Sequence, residues 1–391
     1  MVLGIVLRLA HLGDVSIRTK DEQTYARYAA RIAQEGPGAS PAVFAGVVAD
    51  PEGQSLPAPV RVAHTFLLAG MMRLIDDASG YGAGVALSWI ASVLSMVLLA
   101  WMGRRFFGPR VALTAVFFLA VSMEELTLSR RAWQDASLGL FCLLGMYFAM
   151  EILRSPRRIA PYAGFHLTFL WCTLTKQTGL LVYVVACAVV CGYLILRDRD
   201  WKRAGGVVLA ASVVLVAAWE LLAMAAGGPA EAWLALRRSV VFGPASEAYT
   251  LACCEGPWWQ VTWALFLGNP VVVVMAVAGI VPAAMRFRRR AAAVLAGAEL
   301  LAMTGFISHN HHLQNLRFTA PVHGVLCLLA AGGIWWLVRM AGPRYRRTLS
   351  GLAVIVILAS GWREYRNFEK VAVEGANLDL GVIQIRQILE K

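Results

Sequence analysis

The chain has 391 residues, of which 59% are hydrophobic and only 15% are charged, and its mean hydropathy is +0.62. Soluble globular domains are about half apolar and about a quarter charged, so the composition excludes an ordinary soluble domain and indicates a membrane protein. A formal net charge of +12 would suggest nucleic-acid binding in a soluble protein. Here the basic residues lie in short clusters between apolar runs, which is typical of topology determinants, and no nucleic-acid partner is predicted.

The first apolar segment, MVLGIVLRLAHLG, is short. As a helix it would be roughly 20 Å long, whereas the hydrocarbon core of a bilayer is about 30 Å thick. The segment has neither the basic start nor the cleavage site of a signal peptide. Two interpretations remain open, an upstream start codon or a tilted, partial first helix.

Longer apolar runs recur along the rest of the chain, and each suits a membrane-spanning helix. With the first segment they make eleven candidate spans, of which the third and the last are short. The sequence therefore predicts an all-α, polytopic membrane protein with about 11 transmembrane helices. The runs after the first segment cover about residues 81–102, 110–123, 136–153, 159–175, 179–196, 204–226, 261–285, 291–308, 318–338 and 348–361.

The orientation follows from the basic loops. Every second loop is short and basic, and the five such loops hold half of the 36 Lys and Arg residues. By the positive-inside rule these loops face the cytoplasm, and the alternate loops face outside. We therefore expect a multi-pass protein of the cytoplasmic (inner) membrane, with its polar loops on the extracytoplasmic, periplasmic face. The basic loops are GRRFFGPR, RSPRR, RDRDWKR, MRFRRR and RMAGPRYRR.

The first outside loop, about residues 14–80, is too long for a simple connection. Its segment EQTYARYAARIAQEG predicts an amphipathic helix with Tyr25, Tyr28 and Ile32 on one stripe. After a Pro/Gly-rich stretch, PAPVRVAHTFLLAGMMRLIDD predicts a second amphipathic helix. Both are expected to lie in the membrane interface. Residues 1–361 are predicted to form one transmembrane module, followed by a short extracytoplasmic tail over 362–391.

Ionisable residues gather in four of the outside loops. Since such residues are costly at a membrane, a set of them on one side indicates a site. A channel or transporter would place its charges in the middle of the spans, where the only acids of this chain are Glu220 and Glu299. Asn269-Pro270 and Pro321 are expected to be isolated kinks, not paired broken helices. The outside set comprises Asp21, Glu22, Glu124, Glu125, Arg130, Arg131, Asp135, Lys176, His309, His311, His312 and Arg317.

These side chains suit one kind of chemistry. A carboxylate in a partly dry pocket can act as general base on an alcohol or amine. Arginine and lysine side chains stabilise a phosphate that gains negative charge. An interfacial helix pair could bind a lipid tail. The set therefore favours attack on a lipid-phosphate-linked substrate.

Other polar clusters have simpler interpretations. His309, His311 and His312 lack metal-site spacing and a nearby acid, so we expect a polar loop. Five cysteines lie in apolar runs, and the Cys253-Cys254 pair has no CxxC spacing, so neither a metal site nor a disulfide framework is predicted. No cofactor is indicated, and a divalent metal ion stays an open alternative.

The segment RLAHLGDVSIRTKDEQTYARYAARIAQEG resembles the first-loop motif of the C-type (GT-C) glycosyltransferases, specifically the family 39-like group of protein mannosyltransferases and aminoarabinose transferases. Three further segments, PAPVRVAHTFLLAGMMRL with the later RRFFGPR, SRRAWQDASLGLF and TLTKQTGLL, are similar to family motifs in the same order. The resemblance covers roughly residues 5–200, with an Arg-x-x-x-Pro pattern at Arg317 beyond it.

This resemblance implies a GT-C-like fold and a reaction. One sugar passes from a polyprenyl-phosphate donor to a hydroxyl or amine of a lipid, glycan or protein acceptor, with inversion at the anomeric carbon. Asp21 matches the catalytic base and Glu22 its companion acid. The predicted donor-phosphate and substrate-binding residues are Arg131, Asp135, Arg130, Lys176, Arg317 and Tyr25.

Alternatives exist for the residues and for the whole chain. Asp21 and Glu22 could be a solvated pair that opens a helix, Arg131 and Asp135 an i,i+4 salt bridge, and Lys176 an interfacial anchor. The chain could instead be a polymerase or ligase that uses diphosphate-linked oligosaccharides. It could also be a flippase or transporter of a lipid-linked precursor.

Overall fold

The computed structural model describes residues 1–10, 12, 19–49, 58–241, 257–284, 291–309, 315–374 and 382–389. Helices make up almost all of this part of the chain, which confirms the all-α class. They are α1 (Val2–Ala10), α2 (Lys20–Glu35), α3 (Ser40–Ala49), α4 (Val62–Ile75), α5 (Tyr81–Met102), α6 (Pro109–Val121), α7 (Met123–Leu128), α8 (Asp135–Arg154), α9 (Ala160–Thr175), α10 (Thr178–Asp198), α11 (Trp201–Ala226), α12 (Pro229–Val241), α13 (Gln260–Gly268), α14 (Pro270–Ala284), α15 (Ala291–His309), α16 (Ala320–Met340), α17 (Pro343–Phe368) and α18 (Val382–Leu389).

Several of these helices can cross a membrane. Within the described residues, five helical segments are long and apolar enough, and a bent pair of helices makes a sixth if it counts as one span. The chain is therefore a multi-pass membrane protein, while the count of about 11 spans stays a prediction. The five segments are Tyr81–Phe107, Asp135–Arg154, Thr178–Asp198, Trp201–Ala226 and Leu316–Met340.

The single kinked span expected over residues 261–285 is two helices. The helix axis bends by 114° between α13 and α14. Pro270 opens α14, where its missing N–H costs no hydrogen bond. The side chain of Asn269 accepts a hydrogen bond from the backbone N–H of Val272 at 3.1 Å, as a helix-capping residue does. This cap starts a new helix in a new direction, so the bend is far sharper than a proline kink.

Glycines bring α14 and α16 into close contact. A Cβ atom at Gly333 would overlap the carbonyl oxygen of Met275, and one at Gly279 would overlap that of Leu329. Small residues at such a crossing let two helix backbones approach, and van der Waals packing then holds membrane helices together. This pair forms part of the main buried cluster of the bundle.

The segment predicted as the first outside loop has three α-helices among its described residues, where the sequence predicted two. Helices α2 and α4 occupy the predicted places, and α3 forms in the Pro/Gly-rich stretch between them, for which no helix was predicted. Val43, Phe44 and Val47 of α3 are buried in a second apolar cluster that also contains Tyr25 of α2 and Leu222 of α11. Tertiary packing of these apolar residues stabilises a short helix that weak local propensity did not indicate.

The predicted boundary of the C-terminal tail falls inside a helix. Helix α17 continues past residue 361 to Phe368. The continuation packs inside the protein, since Phe368 is fully buried and Glu364 accepts a hydrogen bond from the backbone N–H of Met123 at 3.2 Å. The start of the tail is therefore part of the bundle.

Two predicted clusters fall largely outside the described residues. Cys253, Cys254, His311 and His312 are not among them, and His309 ends α15.

Candidate active site around Asp21

Asp21 lies in the first turn of α2, at a defined helix start. Thr19 and Glu22 form a capping box, in which the Thr19 side chain accepts from the backbone N–H of Glu22 and the Glu22 carboxylate accepts from that of Thr19. The cap fixes the rotation of α2. As a result the Asp21 side chain keeps 24% of its surface exposed, whereas Glu22 is buried.

Two arginines from distant segments face the Asp21 carboxylate. Oδ2 of Asp21 lies 3.3 Å from Nη2 of Arg317 and 3.9 Å from Nη1 of Arg61. Arg317 comes from a short 3₁₀-helix, Leu316–Thr319, that precedes α16. Arg61 immediately precedes α4. The carboxylate therefore sits between two cations in a partly exposed position.

Glu22 is engaged inside the protein. Its Oε1 accepts a hydrogen bond from the backbone N–H of Ala132 at 2.8 Å, and its Oε2 lies 2.7 Å from Nη2 of Arg131. These contacts fasten the segment between α7 and α8 to the start of α2. Glu22 thus lies beside Asp21 in sequence but has a different environment.

Arg131 and Asp135, for which an i,i+4 bridge was the alternative interpretation, each pair with a residue far away in the sequence. Arg131 pairs with Glu22. Asp135 pairs with Lys176, whose Nζ lies 2.5 Å from Oδ1 of Asp135. Arg131 precedes the first turn of α8, so helical geometry does not bring it over Asp135. Both pairs link segments that are far apart in sequence.

Lys176 lies in the turn between α9 and α10 and is almost fully buried. Its Nζ lies 4.0 Å from the centre of the Phe318 ring. Burial lowers the pKa of Lys176 to about 8, although the negative charge of Asp135 opposes this change. The ammonium group is therefore held close to its titration point in a dry environment.

Aromatic rings form the walls around the cations. The guanidinium of Arg317 lies 5.1 Å from the centre of the Trp133 ring and 5.3 Å from that of Phe318. The guanidinium of Arg61 lies 5.2 Å from the Tyr25 ring. Such cation–π contacts hold a charged group without neutralising it.

Tyr25 contributes its ring rather than its hydroxyl to this site. The hydroxyl donates a hydrogen bond to the carbonyl oxygen of Ala58 at 3.2 Å, and burial raises the pKa of the Tyr25 phenol. His64 packs edge-to-face on the ring, with centroids 5.6 Å apart. Tyr25 thus connects the first turn of α4 to α2.

Arg130 does not join the group around Asp21. Its Nη2 donates a hydrogen bond to the carbonyl oxygen of Ala372 at 2.8 Å, and its guanidinium lies 4.9 Å from the centre of the Phe368 ring. The prediction that Arg130 binds substrate is therefore not supported by its position. The side chain of Arg130 fastens the C-terminal segment to the loop before α8.

The electrostatics favour an ionised Asp21 and an anionic ligand. Burial alone would raise the pKa of Asp21, but the charges of Arg317, Arg61 and Lys176 outweigh it and hold the pKa below its usual range. Three cations face two carboxylates, Asp21 and Asp135, which leaves one excess positive charge. An anion such as a phosphate would balance that charge. Among the described residues, no group of three His, Cys, Asp or Glu side chains is arranged to hold a metal ion.

Arg61 and His64 are the members of the site that sequence reasoning missed. Both lie in the segment PAPVRVAHTFLLAG, which was interpreted as an interfacial helix and as a family motif. Arg61 immediately precedes α4 and His64 lies in its first turn, so both are at the same end of the helix. A basic residue and a histidine at the start of an interfacial helix were the available signal.

The chain is similar to several known membrane proteins. Residues 59–222 match the family model described as dolichyl-phosphate-mannose-protein mannosyltransferase. The crystal structure of apo ArnT from Cupriavidus metallidurans is similar with a TM-score of 0.60 and 16% identity, over 99% of this chain and 76% of ArnT. ArnT bound to undecaprenyl phosphate gives a TM-score of 0.56 at 16% identity, over 100% of this chain and 73% of ArnT.

A second protein has the same fold. The archaeal oligosaccharyltransferase AglB from Archaeoglobus fulgidus, in complex with an inhibitory peptide and a dolichol-phosphate, gives a TM-score of 0.57 at 13% identity. That match covers 95% of this chain and 55% of AglB. No curated protein sequence matches the chain. The family match and the shared fold confirm the resemblance that the sequence motifs indicated.

Proposed function

We propose that this chain, which has the fold of the GT-C membrane glycosyltransferases, transfers a sugar from a polyprenyl-phosphate donor to an acceptor hydroxyl or amine. The reaction inverts the anomeric carbon, with Asp21 as the general base. It takes place at the extracytoplasmic face of the cytoplasmic membrane, and the positive-inside rule supports this side because the basic loops would lie on the opposite face. ArnT with undecaprenyl phosphate and AglB with dolichol-phosphate support a lipid-phosphate ligand.

The observation that carries this proposal is the environment of Asp21. Its carboxylate is the partly exposed anion of the site and lies between Arg317 at 3.3 Å and Arg61 at 3.9 Å. A base and the cations for a leaving phosphate therefore stand side by side. Transfer from a glycosyl phosphate requires these two functions together.

The donor phosphate would bind to the cations. Nε and Nη1 of Arg61 are buried and have no hydrogen-bond partner within the described part of the chain, so an anion can satisfy them. Arg317 and Lys176 complete a positively charged group from three separate segments. A phosphate in such a group is fixed in position, and this orients the anomeric carbon.

In the transfer step, the acceptor oxygen or nitrogen forms a bond to the anomeric carbon from the face opposite the phosphate. Asp21 takes the acceptor's proton and becomes a neutral carboxylic acid. The bond between the anomeric carbon and the phosphate oxygen breaks, and its electron pair leaves with the polyprenyl phosphate. The charge of the phosphate group thus changes from −1 to −2. The cations stabilise this developing charge more strongly than they stabilise the charge of the bound donor. This difference lowers the barrier to transfer.

Donor binding also improves Asp21 as a base. In the free site the three cations hold its pKa low, so the carboxylate is ionised but weakly basic. A bound phosphate offsets part of the positive charge and raises the pKa of Asp21 towards its ordinary value. A carboxylate with a higher pKa accepts a proton more readily. The base therefore becomes effective when the donor is present.

Glu22 and Arg131 act as positioning residues in this proposal. Their buried pair holds Ala132 and the neighbouring Trp133 against α2. Trp133 in turn donates a hydrogen bond from its indole N–H to Oγ of Thr19 at 3.0 Å and faces Arg317. The pair thus fixes one aromatic wall of the pocket relative to Asp21.

The test is a transfer assay with purified protein in lipid nanodiscs. Polyprenyl phosphates linked to mannose, glucose, galactose or arabinose are supplied with membrane lipid, glycan and peptide acceptors. We expect release of polyprenyl phosphate and a product whose anomeric configuration, measured by NMR, is opposite to that of the donor. Retention of configuration, or no sugar transfer from any lipid-phosphate sugar, would contradict the proposal.

A second candidate is an oligosaccharide transferase that uses diphosphate-linked donors. The fold shared with AglB favours it. The same nanodisc assay separates the candidates when a polyprenyl-diphosphate oligosaccharide is added. Transfer of the whole oligosaccharide, with no transfer from monophosphate sugars, would favour the second candidate.

A further inference from the structure

A buried histidine beside the cation group has no hydrogen-bond partner. The His64 side chain is almost completely buried. Neither Nδ1 nor Nε2 has a partner among the residues that the structure describes. A buried donor or acceptor without a partner costs about 1–3 kcal/mol, so such groups in native proteins call for an explanation. His64 differs in this respect from His166, whose Nδ1 lies 2.6 Å from the hydroxyl of Tyr183.

A second unpartnered atom belongs to the same group. Asp135 uses its Oδ1 to bind Lys176, while its Oδ2 is buried without a partner in the described residues. His64 lies close enough to Arg61, Asp135 and Lys176 for their charges to act on its imidazole. Polar atoms from α4 and from the start of α8 are thus left unsatisfied next to the proposed phosphate site.

The chemistry of these atoms differs from that of the cations. Burial, together with the positive charge of Arg61, lowers the pKa of His64 to about 3, so the imidazole is neutral in the physiological range. A neutral imidazole offers one N–H donor and one nitrogen acceptor. A carboxylate oxygen offers acceptors only. This combination matches hydroxyl groups, each of which donates one hydrogen bond and accepts others, and it does not match an anion.

We propose that His64, together with Oδ2 of Asp135, forms a subsite that binds hydroxyl groups of the donor's sugar. The inference rests on the proposed function, because the subsite adjoins the group that would hold the donor phosphate. His64 is then the specificity-determining residue for the sugar, while Arg61, which immediately precedes α4, contacts the phosphate. The packing of His64 on Tyr25 fixes the direction of the imidazole.

The experiment compares two ligands and four proteins. Affinities for polyprenyl phosphate and for the same lipid carrying the best-transferred sugar of the mannose, glucose, galactose and arabinose panel are measured in nanodiscs. The proteins are the wild type, His64→Phe, His64→Gln and His166→Phe. Phenylalanine keeps the edge-to-face packing but removes both nitrogen atoms. His166→Phe is the matched control, because it makes the same change at a buried histidine of α9.

We expect His64→Phe to lose about tenfold in affinity for the glycosylated lipid, the value of one or two hydrogen bonds, with unchanged affinity for polyprenyl phosphate. His166→Phe should keep the wild-type ratio of the two affinities. His64→Gln, which retains a donor and an acceptor, should recover part of the loss. Unchanged binding of polyprenyl phosphate also shows that the variant is folded.

Two results would overturn the inference. Either His64→Phe keeps the wild-type ratio of affinities, or it weakens both ligands equally. Failure of the proposed function gives a different result. In that case the wild type itself would bind neither of the two lipids, or it would transfer no sugar.

Discussion

Glu22 and Arg131, 109 residues apart in the chain, form a buried ion pair with 2.7 Å between Oε2 and Nη2. The neighbouring Asp21 stays partly exposed because the capping box and this pair together hold Glu22 inward. Two adjacent acids therefore have different environments. One fixes the structure, and the other is available for chemistry.

Removal of either member of this pair should destabilise the protein. Arg131→Ala leaves the Glu22 carboxylate buried without its cation, and the loss of one partner of a buried pair costs about 3–5 kcal/mol. Glu22→Gln should cost less, because the amide keeps an oxygen for the N–H of Ala132. Thermal unfolding in detergent measures both variants. A melting temperature unchanged by Arg131→Ala would contradict the positioning role.

Donor binding should weaken above pH 8. A glycosyl phosphodiester keeps one negative charge over the neutral and alkaline range, whereas Lys176 has a pKa of about 8. Because this pKa lies below the ordinary value for lysine, the folded protein loses the ammonium charge as pH rises through 8. The affinity for a polyprenyl-phosphate sugar should therefore fall between pH 7 and pH 9.

The control for this pH dependence is Lys176→Arg, which stays charged throughout. It should bind the donor with an affinity that is flat over the same range. A wild type whose affinity does not change between pH 7 and pH 9 would show that Lys176 does not contact the phosphate.

Substitution by methionine should lower donor affinity at Arg61 but not at Arg130. Arg61→Met removes a cation that faces Asp21, so we expect donor affinity to fall at least about tenfold, the value of a charge-assisted hydrogen bond. Arg130→Met removes a contact to the C-terminal segment and should lower thermal stability while the folded protein keeps its donor affinity. Calorimetric titration with the donor separates the two. Equal losses of affinity would place Arg130 in the site after all.

The rate of sugar transfer should depend on Thr319, because this residue holds Arg317 in position. The Thr319 hydroxyl lies 2.7 Å from Oε2 of Glu124, and His323 Nδ1 lies 3.0 Å from the same oxygen. These contacts anchor the 3₁₀-helix that carries Arg317. Thr319→Val should therefore lower kcat several-fold with little change in KM, because a small misplacement of a cation weakens transition-state stabilisation.

Thr168→Val is the control for Thr319→Val. The hydroxyl of Thr168 bonds to its own helix, at Gly164, and its loss should leave kcat unchanged. Equal effects of the two substitutions would indicate a general loss of stability rather than a displaced Arg317.

Local patterns predicted much of the fold. The apolar runs of α5, α8, α10 and α11 have the length of a span, and the stripe of α2 shows its amphipathic character. Helix α3 escaped prediction because its stability comes from burial of Phe44 against distant residues. The break at Asn269-Pro270 was underestimated, since proline alone predicts a kink and the cap that redirects the chain depends on the Asn269 side chain.

The site was predicted in part. Asp21, Lys176 and Arg317 were singled out in separate loops, and the structure brings them together. The partners of Arg131 and Asp135 could not be predicted, because four residues of spacing suggest a helical pair whereas tertiary contacts pair them with Glu22 and Lys176. Arg130 was included as an ionisable residue of the same predicted outside loop as Arg131. Side chains that follow each other in a non-helical segment can point in unrelated directions.

We propose above all that the Asp21 carboxylate takes the proton from the hydroxyl or amine group of the acceptor. The most direct test is single-turnover transfer from the preferred polyprenyl-phosphate sugar by Asp21→Asn, compared with Glu35→Gln, which changes an exposed acid on the same helix. Since a positioned general base contributes about 10²–10⁴ in rate, Asp21→Asn should transfer at least a hundredfold more slowly while it still binds the donor. Glu35→Gln should react like the wild type. A rate for Asp21→Asn within a few-fold of the wild type would contradict the account.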